Sequence, residues 1–391
     1  MKKYLEQIVV AEFLLFSGGI IFCQIYPALS LVIFVFTTFI YYLSQKKSIP
    51  LINKKILLFI ILWVLLVQFV FVGERSDNRD LPFILNPLGV FFVLSSISFN
   101  RFRDILLQQL TILSAISIVI QIGYDIGLFM PTPLTPAGVM QPYYMCCYLF
   151  SMGWELGTKI TRLSSIYWEP GQFQIIIMFT LSLFVDQLRN IAEWKSLLKK
   201  FGIIVLALFM TISTMGYMVF ALLIFCVLFY SKSKRKKNIL TYLFTGLVGL
   251  LIAFTIWNTD TVQDKLNQRY DVSERTSYAI RMSDNLACLN ITLSSPLYGY
   301  GIATKSLNQQ MIINNSETSS NGWLYTSACL GIPYLFFLLV CIYRRVKDMN
   351  PGIPIILVTT VLVISQCNEY ATFYPITYMY IFKFANYKKL N

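Results

Sequence analysis

Three polar segments in an otherwise apolar chain carry side chains whose types and spacing could do chemistry. The first reads Arg162-Leu163-Ser164-Ser165-Ile166-Tyr167-Trp168-Glu169-Pro170-Gly171. An arginine presents a planar fork that fits phosphate oxygens in pairs, and a carboxylate beside an apolar run can have its pKa raised toward that of a general base. Part of the segment has a plainer explanation as a helix start. Proline suits the first helical position, a carboxylate suits the positive end of the helix dipole, and Tyr167 with Trp168 suits a membrane interface. That explanation leaves Arg162 over, and for it a pyrophosphate and an ordinary lipid head group are equally suitable partners.

The second segment is an amphipathic helix expected over Glu274 to Leu293. Its spacing sets Met282, Leu286, Leu289 and Leu293 on one side and turns Arg281, Asp284, Asn285 and Cys288 away, so it can lie flat at an interface. Ser294-Ser295-Pro296-Leu297-Tyr298-Gly299-Tyr300-Gly301 follows. Gly299 and Gly301 permit a tight turn, and their backbone could approach an anionic or sugar ligand; a helix-terminating turn explains them as well. In the third segment, Ser319-Ser320-Asn321-Gly322-Trp323-Leu324, Asn321 is placed to cap the helix that begins there. Histidine is absent and the eight cysteines show no C-x-x-C spacing, which removes the usual zinc, haem and thioredoxin-like chemistries.

The elements that must hold these residues are membrane helices. Of 391 residues 56% are hydrophobic and only 13% charged, which excludes a soluble multidomain enzyme. Apolar runs extend over Ile8 to Tyr26, Ala28 to Ser44, Ile56 to Gly73, Phe83 to Phe99, Ile105 to Met130 and Gln174 to Leu188. Further runs cover Phe201 to Tyr230, Asn238 to Trp257, Trp323 to Tyr343, Gly352 to Cys367 and Ala371 to Phe384. As one helix the run from Phe201 to Tyr230 would be about 45 Å long against a hydrocarbon core of about 30 Å. Lysines flank both of its ends, so the expectation is two crossings with a turn near Ser213, Thr214 and Gly216. The fold class that follows is an all-α polytopic membrane protein of about twelve transmembrane helices, a single membrane domain over 1–391 with both termini cytoplasmic. Two long loops then fall outside, 131–173 and 258–322. The net charge of +13 reflects basic cytoplasmic loops, so no nucleic-acid partner is implied.

The order of the motifs resembles the bacterial O-antigen and capsular polysaccharide polymerases, which share a superfamily of polytopic glycosyltransferases with the O-antigen ligases. The resemblance runs from about Arg162 to Leu339 and rests on three features. These are a basic residue before Glu169-Pro170, Arg281 ahead of the P-L-x-G-x-G turn, and the N-G-x-L helix start followed by Gly331-Ile332-Pro333. It implies a metal-independent transfer, without cofactor, at the outer face of the bacterial plasma membrane. There a glycan on undecaprenyl pyrophosphate moves onto a second lipid-linked repeat unit. By the same resemblance Arg162 and Arg281 bind the donor pyrophosphate, Arg269 and Arg275 lie nearby, and Glu169 is the carboxylate best placed as a base. Donor and acceptor lipid-linked oligosaccharides, the bilayer, and flippase and chain-length regulator proteins are the partners implied. Two departures matter. Ligases usually carry His-Asn where this chain has Ser320-Asn321, and the S-R-G of an external hairpin is here Ser213-Thr214-Met215-Gly216. A ligase-type transferase and a lipid-linked oligosaccharide flippase are the competing readings, the latter requiring charged groups at mid-membrane, whereas the spans hold only a few acids, Glu12, Asp125 and Asp186, the last two near span ends.

The sidedness has a direct check. Cysteines introduced at Ser213 to Gly216 are expected to react with an impermeant thiol reagent in intact cells, and cysteines at Ser231 to Lys237 are not. The reverse pattern would overturn the twelve-span reading.

Overall fold

In surroundings without water an apolar run must satisfy its own backbone hydrogen bonds, and helix is the local structure that does so. A computed structural model describes residues 2–18, 20–45, 49–74, 80–134, 143–147, 149–151, 162–188, 194–229, 277–316, 319–349, 355–367, 369 and 371–385. The N-terminal part comprises α1 (Lys2–Phe16), α2 (Ile21–Ile25), α3 (Pro27–Gln45), α4 (Leu51–Leu65, continued by a π-helical turn over Leu66–Phe71), α5 (Leu81–Ser96) and α6 (Phe99–Asp125). After a small sheet follow α7 (Pro170–Ser182), α8 (Val185–Leu188), α9 (Trp194–Met210) and α10 (Thr214–Phe229). The last part holds α11 (Ser277–Ser294), α12 (Lys305–Ile313), α13 (Gly322–Met349), α14 (Ile355–Ile364) and α15 (Pro375–Tyr378). Among the described residues four helices, Pro27–Gln45, Leu51–Phe71, Phe99–Asp125 and Gly322–Met349, are long and apolar enough to cross a membrane. Large apolar side chains such as Val32, Phe36 and Leu43 stand exposed on α3, as befits a protein whose outer solvent is lipid.

The expected turn within 201–230 is present: α9 ends at Met210, Ile212 takes a positive φ of 48°, and α10 starts at Thr214. The ninth expected span, Asn238 to Trp257, lies outside the described residues. Three expectations need correction. The run from Ile8 to Tyr26 is broken: α1 stops at Phe16, and Ile20 pairs with Tyr167 in an isolated bridge. Tyr167 itself is fully buried, its hydroxyl donating to the Leu14 carbonyl at 3.2 Å and its ring filling the space a side chain on Gly18 would need. It is a core residue rather than part of an interfacial belt. Within the first long loop, Thr132–Leu134, Tyr143–Cys146 and Phe150–Ser151 form an antiparallel sheet (β1 to β3) with Thr132 opposite Met145.

The third correction is Ala371 to Phe384, expected as a span but helical only over Pro375–Tyr378. Composition alone could not separate a helix from irregular chain enclosed by protein, since both are apolar. Enclosure obliges neighbouring helices to supply hydrogen bonds. Buried Asn53 of α4 accepts from the Lys383 N–H and donates to its carbonyl, both at 2.7 Å. Asn86 of α5 donates to the Phe373 carbonyl at 2.8 Å, and the Tyr380 hydroxyl reaches Phe179 O at 2.8 Å. Close approach of α3 and α5 needs Gly89, where an added Cβ would lie 2.4 Å from the Phe34 ring.

A second irregularity sits inside α13. Pro333 has no N–H, so the carbonyl of Cys329 four residues back loses its helical donor. At Gly331 the chain leaves helical geometry (φ 81°, ψ 166°), and the Ile332 N–H turns to Pro296 O at 2.8 Å, which orphans the Ala328 carbonyl too. Both carbonyls are then taken up by the glycine turn: Tyr300 N–H donates to Ala328 O and Gly301 N–H to Cys329 O, each at 2.9 Å. This locks α11 onto α13. Buried Gln68, in the π-helical turn, holds the far side of the same loop by accepting from Ile302 N at 3.0 Å.

Asn53→Leu leaves the Lys383 backbone without two partners. It is expected to destabilise the protein by about 1–3 kcal/mol, seen as earlier thermal unfolding in detergent. Leu58→Ala, at a site 58% exposed on the same helix, is the comparison and is expected to shift the transition little.

Candidate functional site

Arg162 is placed by the break between α9 and α10. The end of α9 leaves carbonyls without helical donors, and the segment before α7 supplies them: Leu163 N–H donates to Met210 O at 2.9 Å, and Arg162 Nε donates to Thr211 O at 3.1 Å. A cation at a helix C-terminus is favoured by the dipole as well. Anchorage through Nε keeps the guanidinium in place while its Nη pair can still serve as a fork for an anion.

Glu169 occupies the position before α7, with extended backbone (φ −137°, ψ 152°), and Pro170 fills the first helical position. The helix-start reading therefore holds for Pro170. The Glu169 side chain makes no capping bond to its own helix. It faces Glu369, from the short connection between α14 and α15, and lies within hydrogen-bonding reach of that carboxyl. The approach depends on Gly171: a Cβ there would stand 1.8 Å from Glu369 Oε1.

Arg281, half-buried on the inner side of α11, completes the group. Both Arg162 and Arg281 act electrostatically on Glu369, and the two guanidinium groups also repel one another. Burial pushes the Glu369 carboxyl well above the usual carboxylate range, and the charge of Glu169 adds to this; Arg281 and Arg162 pull it down. Burial also lowers the Arg162 pKa from its ordinary value, against the support of Glu369 and Glu169. An arginine remains charged at any physiological pH even so. Three segments distant in sequence thus bring two cations and two carboxyls together.

Glu369 is the member that sequence reasoning missed. Gln172 and Tyr374 stand beside it, with the Gln172 side chain hydrogen-bonded to the Tyr374 hydroxyl. Gln172 Oε1, Gln174 Nε2 and Ser320 Oγ are buried without a partner, polar atoms of the sort that sugar hydroxyls satisfy. The start of α13 adjoins the site, since a Cβ on Gly322 would lie 3.1 Å from the Glu369 carbonyl. Asn321 behaves as a cap, its Oδ1 accepting from Trp323 N–H at 3.1 Å and Leu324 N–H at 3.2 Å. Gly299 and Gly301, with φ of 66° and 78°, sit against the α13 break, where the amides of Tyr300 and Gly301 are engaged by carbonyls. Arg269 and Arg275 lie outside the described residues. No group of three His, Cys, Asp or Glu side chains able to hold a metal occurs among the described residues.

Residues 201–340 match the O-antigen ligase family. The match supports the resemblance to the O-antigen ligase/polymerase superfamily and, with the apolar helices, points to a membrane protein with a ligase- or polymerase-type activity. It includes Arg281, the glycine turn and the start of α13, and stops short of Arg162 and Glu169 on one side and Glu369 on the other. Neither the curated proteins nor the solved structures include a match to the chain.

Gly171→Ala tests the carboxyl approach. The obstructed atom is the end of a flexible side chain, so the fold is expected to survive with unchanged abundance and monodispersity, while glycan transfer falls sharply as Glu369 is displaced. Transfer equal to the parent would show that the close approach of the two carboxyls is not needed.

Proposed function

We propose that this protein is a metal-independent glycosyltransferase of the bacterial plasma membrane. It polymerises repeat units carried on undecaprenyl pyrophosphate into O-antigen or capsular polysaccharide at the outer face. The observation that carries the proposal is the convergence of Arg162 and Arg281 on the Glu169–Glu369 pair. The leaving group of this reaction is a pyrophosphate. What the protein must supply is charge to hold it, a pocket to orient the acceptor hydroxyl, and a group to take the hydroxyl proton.

Arg162 and Arg281 take the first role, and Glu169 the last. As the acceptor oxygen bonds to the anomeric carbon, the carbon–oxygen bond to pyrophosphate breaks with its electron pair leaving on the phosphate oxygen, and Glu169 receives the proton. Polymerase is preferred to ligase because the position of the ligase histidine is Ser320, in a chain with no histidine at all. Transport is less well supported: Asp186 is held by Arg103 Nη1 at 3.0 Å, and Asp125 Oδ1 accepts from Gln121 at 3.2 Å.

The experiment is a purified transfer assay with lipid-linked repeat units as donor and acceptor, with polymer length read on gels. Arg162→Ala and Arg281→Ala are expected to abolish polymer, with Lys restoring part of it because an ammonium lacks the fork. Glu169→Gln is expected to lose about two to four orders of magnitude in rate, Pro170→Ala little, and EDTA nothing. Full activity of both arginine variants would overturn the proposal.

A further inference from the structure

We propose that Glu369 is the proton-holding partner of Glu169, donating a hydrogen bond from its carboxyl so that the Glu169 carboxylate is aimed at the acceptor hydroxyl. The inference rests on the transferase reading and assigns Glu369 a positioning role in it. The geometry points this way from three sides. Gly171 gives the Glu369 carboxyl room against the first turn of α7, next to Glu169. The Glu169 side chain is within hydrogen-bonding reach and has no capping bond to hold it elsewhere. Two partly buried carboxyls cannot both ionise so close together without strong repulsion, so they share one proton.

Sharing a proton also decides the charge of the whole site. With both carboxyls ionised, Arg162 and Arg281 would be neutralised within the protein and would have nothing left for a pyrophosphate. With one proton retained, a positive charge remains for the donor and one carboxylate remains as base. Among the described residues the other titratable groups at the site are Tyr374, from the chain leading into α15 and facing the pair, and Tyr217 of α10 beside Arg162. Cys23 of α2 faces Tyr374 in turn. Phenols and a thiol hold their protons at working pH, so the carboxyl pair is what changes charge. During transfer the acceptor proton passes to Glu169, leaving the pair doubly protonated. Loss of one proton to water restores it.

Activity should therefore follow a bell-shaped pH profile. On the acid side both carboxyls are protonated and no base exists; on the alkaline side both are ionised, the arginines are cancelled, and donor binding fails. Glu369→Gln keeps a donor for Glu169 but has no proton to lose. It is expected to keep the acid limb and to lose the alkaline limb. Glu369→Ala removes the donor and is expected to lose about 10- to 100-fold at the plateau, with Glu369→Asp recovering part. Infrared spectroscopy of the purified protein supplies a readout independent of any substrate. The parent should show a protonated-carboxyl band at neutral pH with a component that Glu369→Gln lacks. An alkaline limb unchanged in Glu369→Gln, or a band unchanged by that substitution, overturns the pairing. A band lost as expected in a protein that transfers nothing to lipid-linked acceptors would support the pair and overturn the polymerase reading alone.

Discussion

Backbone polar groups that water cannot reach must find partners in the protein, and in this chain that constraint places the site. Wherever a helix breaks among apolar neighbours, its freed carbonyls recruit another segment. The end of α9 recruits Leu163 and Arg162, which fixes the first arginine. The break in α13 recruits Tyr300 and Gly301, which binds α11 and so Arg281 to the helix whose start adjoins Glu369. The irregular chain around α15 draws Asn53 and Asn86 out of α4 and α5, and that same chain leads directly from Glu369. The scaffold and the site therefore share one cause. Breaking a helix inside an apolar body makes irregular backbone, and irregular backbone can carry charged side chains to a common point.

Charge in such a place is destabilising unless it is balanced, and the balance is incomplete by design of the geometry. Arg162 and Arg281 repel one another, while Glu169 and Glu369 do the same. Each pair is tolerable only because the other is near. Burial favours the neutral form of Glu369 and does not discharge arginines, so in the proposed pairing the compromise falls on the acids. What is left in that pairing is a site that is positive before an anionic substrate arrives. Binding is thereby favoured by the same imbalance that the fold has to bear.

Much of this was legible from sequence because the segment carrying Arg162 and Glu169 and the one carrying Arg281 each interrupt apolar runs with residues that lipid does not tolerate. The helix of residues 277–294 and the turn within 201–230 followed from periodicity and from length against bilayer thickness. Glu369 escaped because it stands in a very short gap between two apolar runs, where a single acid looks like an ordinary connection. The signal was present in topology: counting spans from a cytoplasmic N-terminus puts that gap on the same side as the two long loops. Tyr167 was misplaced since an aromatic before a helix start looks the same whether it faces lipid head groups or the protein core. The stretch 371–385 was misread for a related reason, hydropathy registering burial without distinguishing lipid from protein as the surroundings.

The helix α11 shows how one element can serve two phases at once. Met282, Leu286, Leu289 and Leu293 are each more than two-fifths exposed, while Asp284 and Cys288 on the other side are buried and Arg281 faces Arg162 and Glu369. In water such a helix would be inside out. Beside a bilayer its apolar face can meet acyl chains while its inner face meets an anion. A substrate that joins a long hydrocarbon to a pyrophosphate presents those same two demands a few ångströms apart. The donor in the proposed reaction would then keep its lipid in the membrane along the outer side of α11 and its pyrophosphate against the arginines on the inner side. Only the sugar would have to reach the unpartnered polar atoms of Gln172 and Ser320 near Glu369. On this arrangement the carboxyl pair sits where the acceptor hydroxyl must arrive, so that the anion site, the base and the lipid-facing surface are ordered along one path from bilayer to glycan.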